Sequence, residues 1–265
     1  MIAALLAQKL RRQRTLLVVL ALALTGFPVL LLWIGTTIDR GPGVGELLAK
    51  MPKWIQRLVE QQIGEVSFRA FPAFAFEHPV VLLASLSQVL SAATTPASER
   101  ESGFLDLQVA QRLRRGEYFA ATALLVVLGA VAWPGCLLLG VAIGFRSLDL
   151  PQPLSVSTYL PGCLGLATLL LAFGGVGLWF GCAQKRRGRA LAQLIGCIAA
   201  AYLLHVLGTL SSRLAVVEWL SPFHWFQPLR VILKGEPMVG SSAVLLGVFA
   251  SCTAAAWRSF DRQDL

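Results

Sequence analysis

The chain has 265 residues, 56 % of them hydrophobic and only 14 % charged, with a mean hydropathy of +0.68. That balance lies outside the range of soluble domains and leaves charge-free runs long enough to cross about 30 Å of hydrocarbon. The net charge of +9 collects at the ends of apolar runs, so membrane orientation accounts for it and no nucleic-acid partner is needed.

Six apolar segments follow in chain order. The first, about 15–38, comes after the basic stretch KLRRQR. It is too long for a signal-peptide core and no A-x-A site follows, so it reads as an uncleaved span. The others are about 78–96, 119–145 (with Pro134 as an expected kink), 159–182, 190–209 and 238–257. The fold expected is all-α, a single polytopic membrane domain of six transmembrane helices.

Lys and Arg in the loops set the orientation. Segments 1–14, 97–118, 183–189 and the tail from 258 carry 14 basic residues and a net charge of +8. Segments 39–77, 146–158 and 210–237 carry 9 on longer loops, for a net +1. The first set is expected to be cytoplasmic, with both termini inside.

Before the first span, MIAALLAQKL has apolar positions at helical spacing. It reads either as a surface helix or as an extension of the span. In the outer loop 39–77, Val44, Leu47, Leu48, Met51, Trp54, Ile55, Leu58, Val59, Ile63 and Val66 recur every three or four residues. That spacing predicts an amphipathic helix on the outer surface or capping the bundle. Gly140 and Gly144, like Gly177 and Gly181, are four apart and suit close helix approach. The five cysteines form no CxxC pair and read as small apolar side chains.

Motifs for chemistry are missing from the sequence. His78, His205 and His224 have no HExxH spacing, no nucleophile elbow occurs, and no GxxxxGK[ST] loop is present. No catalytic, cofactor or metal residues are assigned. Polar residues within spans are few: Gln88, Gln193 and His205. They read either as interhelical hydrogen-bonding groups or as lining of a translocation path.

The inner loop 97–118 reads ASERESGFLDLQVAQRLRRGEY. Acidic residues precede basic ones, with apolar residues between, which predicts a short amphipathic helix parallel to the membrane. It reads equally as a surface helix with snorkelling arginines or as a docking element for a partner.

These residues resemble the pattern E-R-E-x-G-T-L-[ED]-L-L-L-x-x-P-[VL]-S-R of type-2 (ABC-2 type) ABC exporter permeases. Glu99, Arg100, Glu101, Gly103, Leu105, Asp106, Leu107, Arg115 and Tyr118 fall on matching positions. Phe104, Arg112 and Arg114 depart from it, at the threonine, proline and serine. Without the proline, a helix is expected to run unbroken from Leu105 to Arg115. His78-Pro79 and the stretch Leu220 to Phe226 with Pro228 are similar to the family's start of span two and its S-P-F-x-[YW] segment.

The resemblance implies a permease subunit of an exporter in the bacterial plasma membrane. It would pair with a second copy or a related permease and with two copies of a separate ATPase that binds ATP and Mg. Coupling to that ATPase would fall on Glu99, Glu101, Gly103, Asp106, Arg112 and Arg115. An outer gate would fall on Ser221, Pro222, Phe223 and Pro228. The competing expectation is a membrane scaffold or assembly factor without transport.

Overall fold

The structure is a computed structural model that describes residues 2–40, 68–105, 114–150, 153–210 and 215–262. The amphipathic helix expected between Val44 and Val66 lies outside the described residues, as do Asp106 and Arg112. All regular structure among the described residues is helical.

Helix α1 (Ile2–Arg12) and helix α2 (Arg14–Arg40) are separated at Gln13. Helix α3 (Ala70–Glu77) and helix α4 (Pro79–Ala93) meet at His78 with a 40° bend. The bend has a local cause. Pro79 has no N–H to give, and the residue before a proline is pushed out of the helical region. His78 is accordingly extended, at φ −62° and ψ 127°, and its Nδ1 accepts the Val80 N–H at 3.3 Å, capping α4. The apolar path of the second span therefore starts at Ala70 rather than at His78.

A short helix α5 (Thr95–Glu101) follows, and then helix α6 (Arg115–Ser147), which continues through Pro134. A 3-10 turn (Val156–Tyr159) leads into helix α7 (Leu160–Ala183), and helix α8 (Arg187–Leu210) follows directly. Helices α9 (Ala215–Glu218) and α10 (Pro228–Lys234) are short, and helix α11 (Val239–Asp261) closes the bundle. Among the described residues, α2, α6, α7, α8 and α11 are each long and apolar enough to cross a membrane, and the bent α3–α4 pair makes a sixth where its two helices count as one span. The protein is thus an all-helical, multi-pass membrane protein.

α7 is the central post. Of its most apolar stretch 67 % is buried, against 17 % for α2 and α8 and 11 % for α11. α11, α6, α8 and α4 all pack on it. The outward faces carry exposed Leu22, Leu83, Leu164, Ile195, Leu203 and Leu246, which suits a hydrocarbon surround. In lipid, apolar burial gives little drive to helix association, so close packing through small residues carries more of the work. Both glycine pairs lie at such contacts. Gly140 lies against the Thr25 backbone carbonyl and Gly144 against Leu32, joining α6 to α2. Gly177 and Gly181 lie against Ala93, joining α7 to the end of α4. Gly175 adds a third approach, where a Cβ would stand 3.0 Å from the Phe249 backbone of α11.

Helix α1 and the last turn of α11 lie at one end of the bundle, the terminal end. There Lys9 of α1 meets Glu99 of α5, and Phe260 of α11 stacks on Tyr118 of α6.

Gly140→Ala would drive a methyl group into a backbone carbonyl that cannot yield. It is expected to cost about 1–3 kcal/mol. Gly196→Ala, on an open face of α8 with nothing within 4 Å, is expected to be neutral or to stabilise by up to about 1 kcal/mol. Thermal unfolding of the two variants in detergent micelles checks the contrast.

Candidate functional site

The terminal end is organised by α5. Every helix leaves unpaired carbonyls at its C-terminus and unpaired N–H groups at its N-terminus, with matching partial charges. α7 ends and α8 begins only a few residues apart, so one end of each kind stands side by side. α5 answers both. Arg100 Nη1 donates to the Cys182 and Gln184 carbonyls at 3.1 and 2.8 Å, capping the end of α7. Glu101 Oε2 accepts the Arg187 N–H at 2.9 Å, capping the start of α8. Arg187 in turn donates to Ser91 Oγ of α4 at 3.1 Å.

Glu99, two residues away, faces the other side. Its carboxylate pairs with Lys9 Nζ at 3.4 Å and accepts a hydrogen bond from the Tyr118 hydroxyl. Lys9 also reaches Thr122 Oγ1 at 3.4 Å and lies 4.6 Å above the Tyr118 ring. The Lys9 and Glu99 side chains are 13 % and 12 % exposed, so this is a largely buried pair. Burial lowers the Lys9 pKa, and the Glu99 charge and hydrogen bond oppose the shift.

Gly103 ends this short stretch with φ +69°, the left-handed region that glycine enters without strain. Among the expected coupling residues, then, Glu99 and Glu101 are engaged within the chain, and Gly103 supplies the turn. Arg115 donates to the Asp261 carbonyl at 3.1 Å, tying α6 to the end of α11. The helix expected to run from Leu105 to Arg115 passes through undescribed residues. Where the chain is described, α6 begins at Arg115 after an extended Arg114.

The other end of the bundle holds a second cluster. Ser221 is fully buried and donates to the Ala201 carbonyl of α8 at 2.7 Å, while its Oγ accepts the Phe223 N–H at 3.2 Å. Phe223 packs on Phe173 of α7 and on Tyr202 of α8. Pro228 opens α10, a position where its missing N–H costs nothing. Pro222 is half-buried between Ser221 and Phe223. Glu218 sits between His205 and His224, its Oε1 lying 3.1 Å from His205 Nδ1 and 3.0 Å from His224 Nδ1.

The three polar residues singled out within spans separate. His205 joins this far cluster, Gln88 lines a cavity with Lys9, and Gln193 is exposed on α8. Sequence reasoning gave no role to Lys9, Glu218 or the capping side chain of Arg100. Arg100 and Glu101 had a readable signal, since opposite charges next to each other suit two opposed helix ends. Lys9 and Glu218 had none, because their partners are remote in the chain. Among the described residues no group of three or more His, Cys, Asp or Glu is placed to hold a metal ion.

No protein-family model, no curated protein and no solved structure matches this chain.

Glu99→Gln leaves the Lys9 charge buried without its partner. At neutral pH it is expected to cost about 3–5 kcal/mol, and adding Lys9→Met to that background should return most of the loss. With Glu99 gone, the folded-state pKa of Lys9 falls further below the ordinary lysine value. Between those two values the unfolded chain binds more protons than the folded one, so the Glu99→Gln variant should gain stability as pH rises. Denaturation of the single and double variants across that range checks both points.

Proposed function

We propose that this protein is the permease subunit of an ABC exporter, driven by a separate ATPase that docks at the terminal end. The observation that supports this most is the placement of the Glu99-Arg100-Glu101 motif. Three consecutive side chains of one short helix hold α1 and α6, the end of α7 and the start of α8. A force applied to α5 would be shared by several spans at once, as a coupling element requires.

On this reading the terminal end is cytoplasmic, in keeping with its excess of Lys and Arg. Two copies of the ATPase bind ATP and Mg and close beneath two permeases, which are two copies of this chain or this chain and a relative. Closure pushes on α5 and the residues after it. Asp106, Arg112 and exposed Glu101 supply charge for the docking surface. The segment from Ser221 to Pro228 forms the outer gate, and the membrane is a bacterial plasma membrane. The chain itself supplies no hydrolytic chemistry.

The test is affinity purification of the tagged full chain together with the ATPase partner. A Walker-type ATPase should be retained. Asp106→Lys and Arg115→Glu should weaken that association. Arg100→Ala should leave association intact but lower transport per ATP hydrolysed by about tenfold, within the 1–3 kcal/mol typical of coupling between sites. The proposal fails if no ATPase is retained, or if all three variants assemble and couple as the native chain does.

A further inference from the structure

Helix α9 is a single turn, too short to hold itself, and Glu218 at its end is seated against α8. The two meet at Gly208, where a Cβ would collide with the Glu218 side chain. From that seat the carboxylate reaches two imidazoles. Its Oε1 lies 3.1 Å from His205 Nδ1 on α8 and 3.0 Å from His224 Nδ1 in the turn that follows α9. Both Nδ1 atoms are closed off from solvent, while the two side chains as wholes are 26 % and 21 % exposed. A bare nitrogen lone pair would repel a carboxylate at this range. Each ring therefore carries its proton on Nδ1, which leaves Nε2 to take up a second.

Few other charges stand near among the described residues. α7 holds no charged residue and one thiol at this end, Cys163. Arg258 and Asp261 of α11 lie at the terminal end. On α10, Arg230 donates to Gln227 Oε1 at 3.0 Å and interacts with Glu77 of α3, and Lys234 is exposed. Tyr202 of α8 packs on Phe223. The charge of Glu218 is thus what a histidine here has to rely on.

One carboxylate matches one positive charge. The first proton taken up makes the cluster neutral, and the second leaves it positive. Because both rings touch the same oxygen, they lie within roughly 6 Å of each other, a range over which like charges disfavour one another. Seated, the pair binds its second proton less readily than when separated and hydrated. Acid moves the equilibrium toward the form that binds more protons, and that is the released form. Imidazole titrates between about pH 5 and 8, and the unmatched second step belongs to the lower part of that range.

We propose that His205, Glu218 and His224 form an acid-sensitive catch, which holds α9 and the turn after it on α8 near neutral pH and releases them when both imidazoles are charged. Release leaves the Ser221–Ala201 hydrogen bond as a tie to α8. The catch acts on the segment that the exporter reading makes the outer gate. Its readout needs neither ATPase nor cargo, so the two can fail separately.

Hydrogen–deuterium exchange of the purified full chain in lipid nanodiscs tests it, with rates corrected for the intrinsic pH dependence of amide exchange. Between about pH 7.5 and 5, protection of residues 216–226 should fall by about tenfold or more, while that of α7 stays within about threefold. His205→Asn and His224→Asn keep a donor in place of Nδ1–H but take up no proton, so either should retain its protection at the lower pH. His205→Gln and His224→Gln serve if the asparagine variants are not monodisperse. Glu218→Gln removes the charge that matches the first proton and should move release upward by about one pH unit. Unchanged protection of the native segment across this range would overturn the proposal. So would an equal acid loss in both histidine variants, or a Glu218→Gln variant that released at the native pH. A loss shared equally by α7 would overturn it too, as general unfolding.

Discussion

The terminal end of the bundle depends on how two opposed helix ends are satisfied. α7 ends and α8 begins within a few residues, leaving carbonyls with partial negative charge beside N–H groups with partial positive charge. Arg100 and Glu101 meet them in the matching sense, cation on carbonyls and carboxylate on N–H. Hydrogen bonds with an ionised partner are the stronger kind, and a planar guanidinium can serve two carbonyls at once. With α5 seated there, Glu99 is carried to the opposite side of the short helix, where Lys9 and Tyr118 complete it. The position of α1 on α6 follows from that pairing.

The membrane imposes the other constraint. Where lipid is as apolar as the side chains, helices gain most by approaching closely, and a methyl group in the wrong place prevents it. α7 is lined with small residues on several sides: Gly177 and Gly181 toward α4, Gly174 toward α6, and Gly175 toward α11. This explains why it is buried when its neighbours are not. A helix approached on so many sides must be slim on all of them. The absence of a single glycine stripe is thus a consequence of its central position.

Hydropathy made most of the fold legible. The limits of α2, α6, α7, α8 and α11 follow from apolar runs and the charges that stop them. The second span was harder to read. His78-Pro79 looks like a helix start in sequence, and it is one locally, but Ala70 to Glu77 already forms apolar helix on the far side of the bend. A proline marks a break without telling whether the path continues across it. The site was legible only where partners are close in sequence or fixed in type. The Glu99-Arg100-Glu101 run stood out, yet the meetings of Lys9 with Glu99 and of His205 with Glu218 are tertiary events. Gln193 shows the converse limit, since a polar residue in an apolar run faces outward as easily as inward.

The two clusters share their supports, and this bears on how one end of the bundle can affect the other. At the terminal end, α5 holds the last carbonyls of α7 and the first N–H of α8. At the other end, the Ser221–Phe223 segment holds the Ala201 carbonyl of α8 and packs on Phe173 of α7. Glu218 adds His205, a further turn along α8. The same two helices are therefore gripped at both ends by short, irregular elements. A packed helix moves as a unit because its side chains fit only a few arrangements with their neighbours. A shift imposed on α5 can reach the far segment only through α7 or α8. The close fit of α7 against Ala93 and Phe249 resists such motion by α7. α8 is only 17 % buried in its most apolar stretch, so fewer close contacts oppose its movement. Motion relayed from α5 would thus be carried by α8 against a stationary α7. The Ser221–Ala201 hydrogen bond is where that motion would first be felt at the other end.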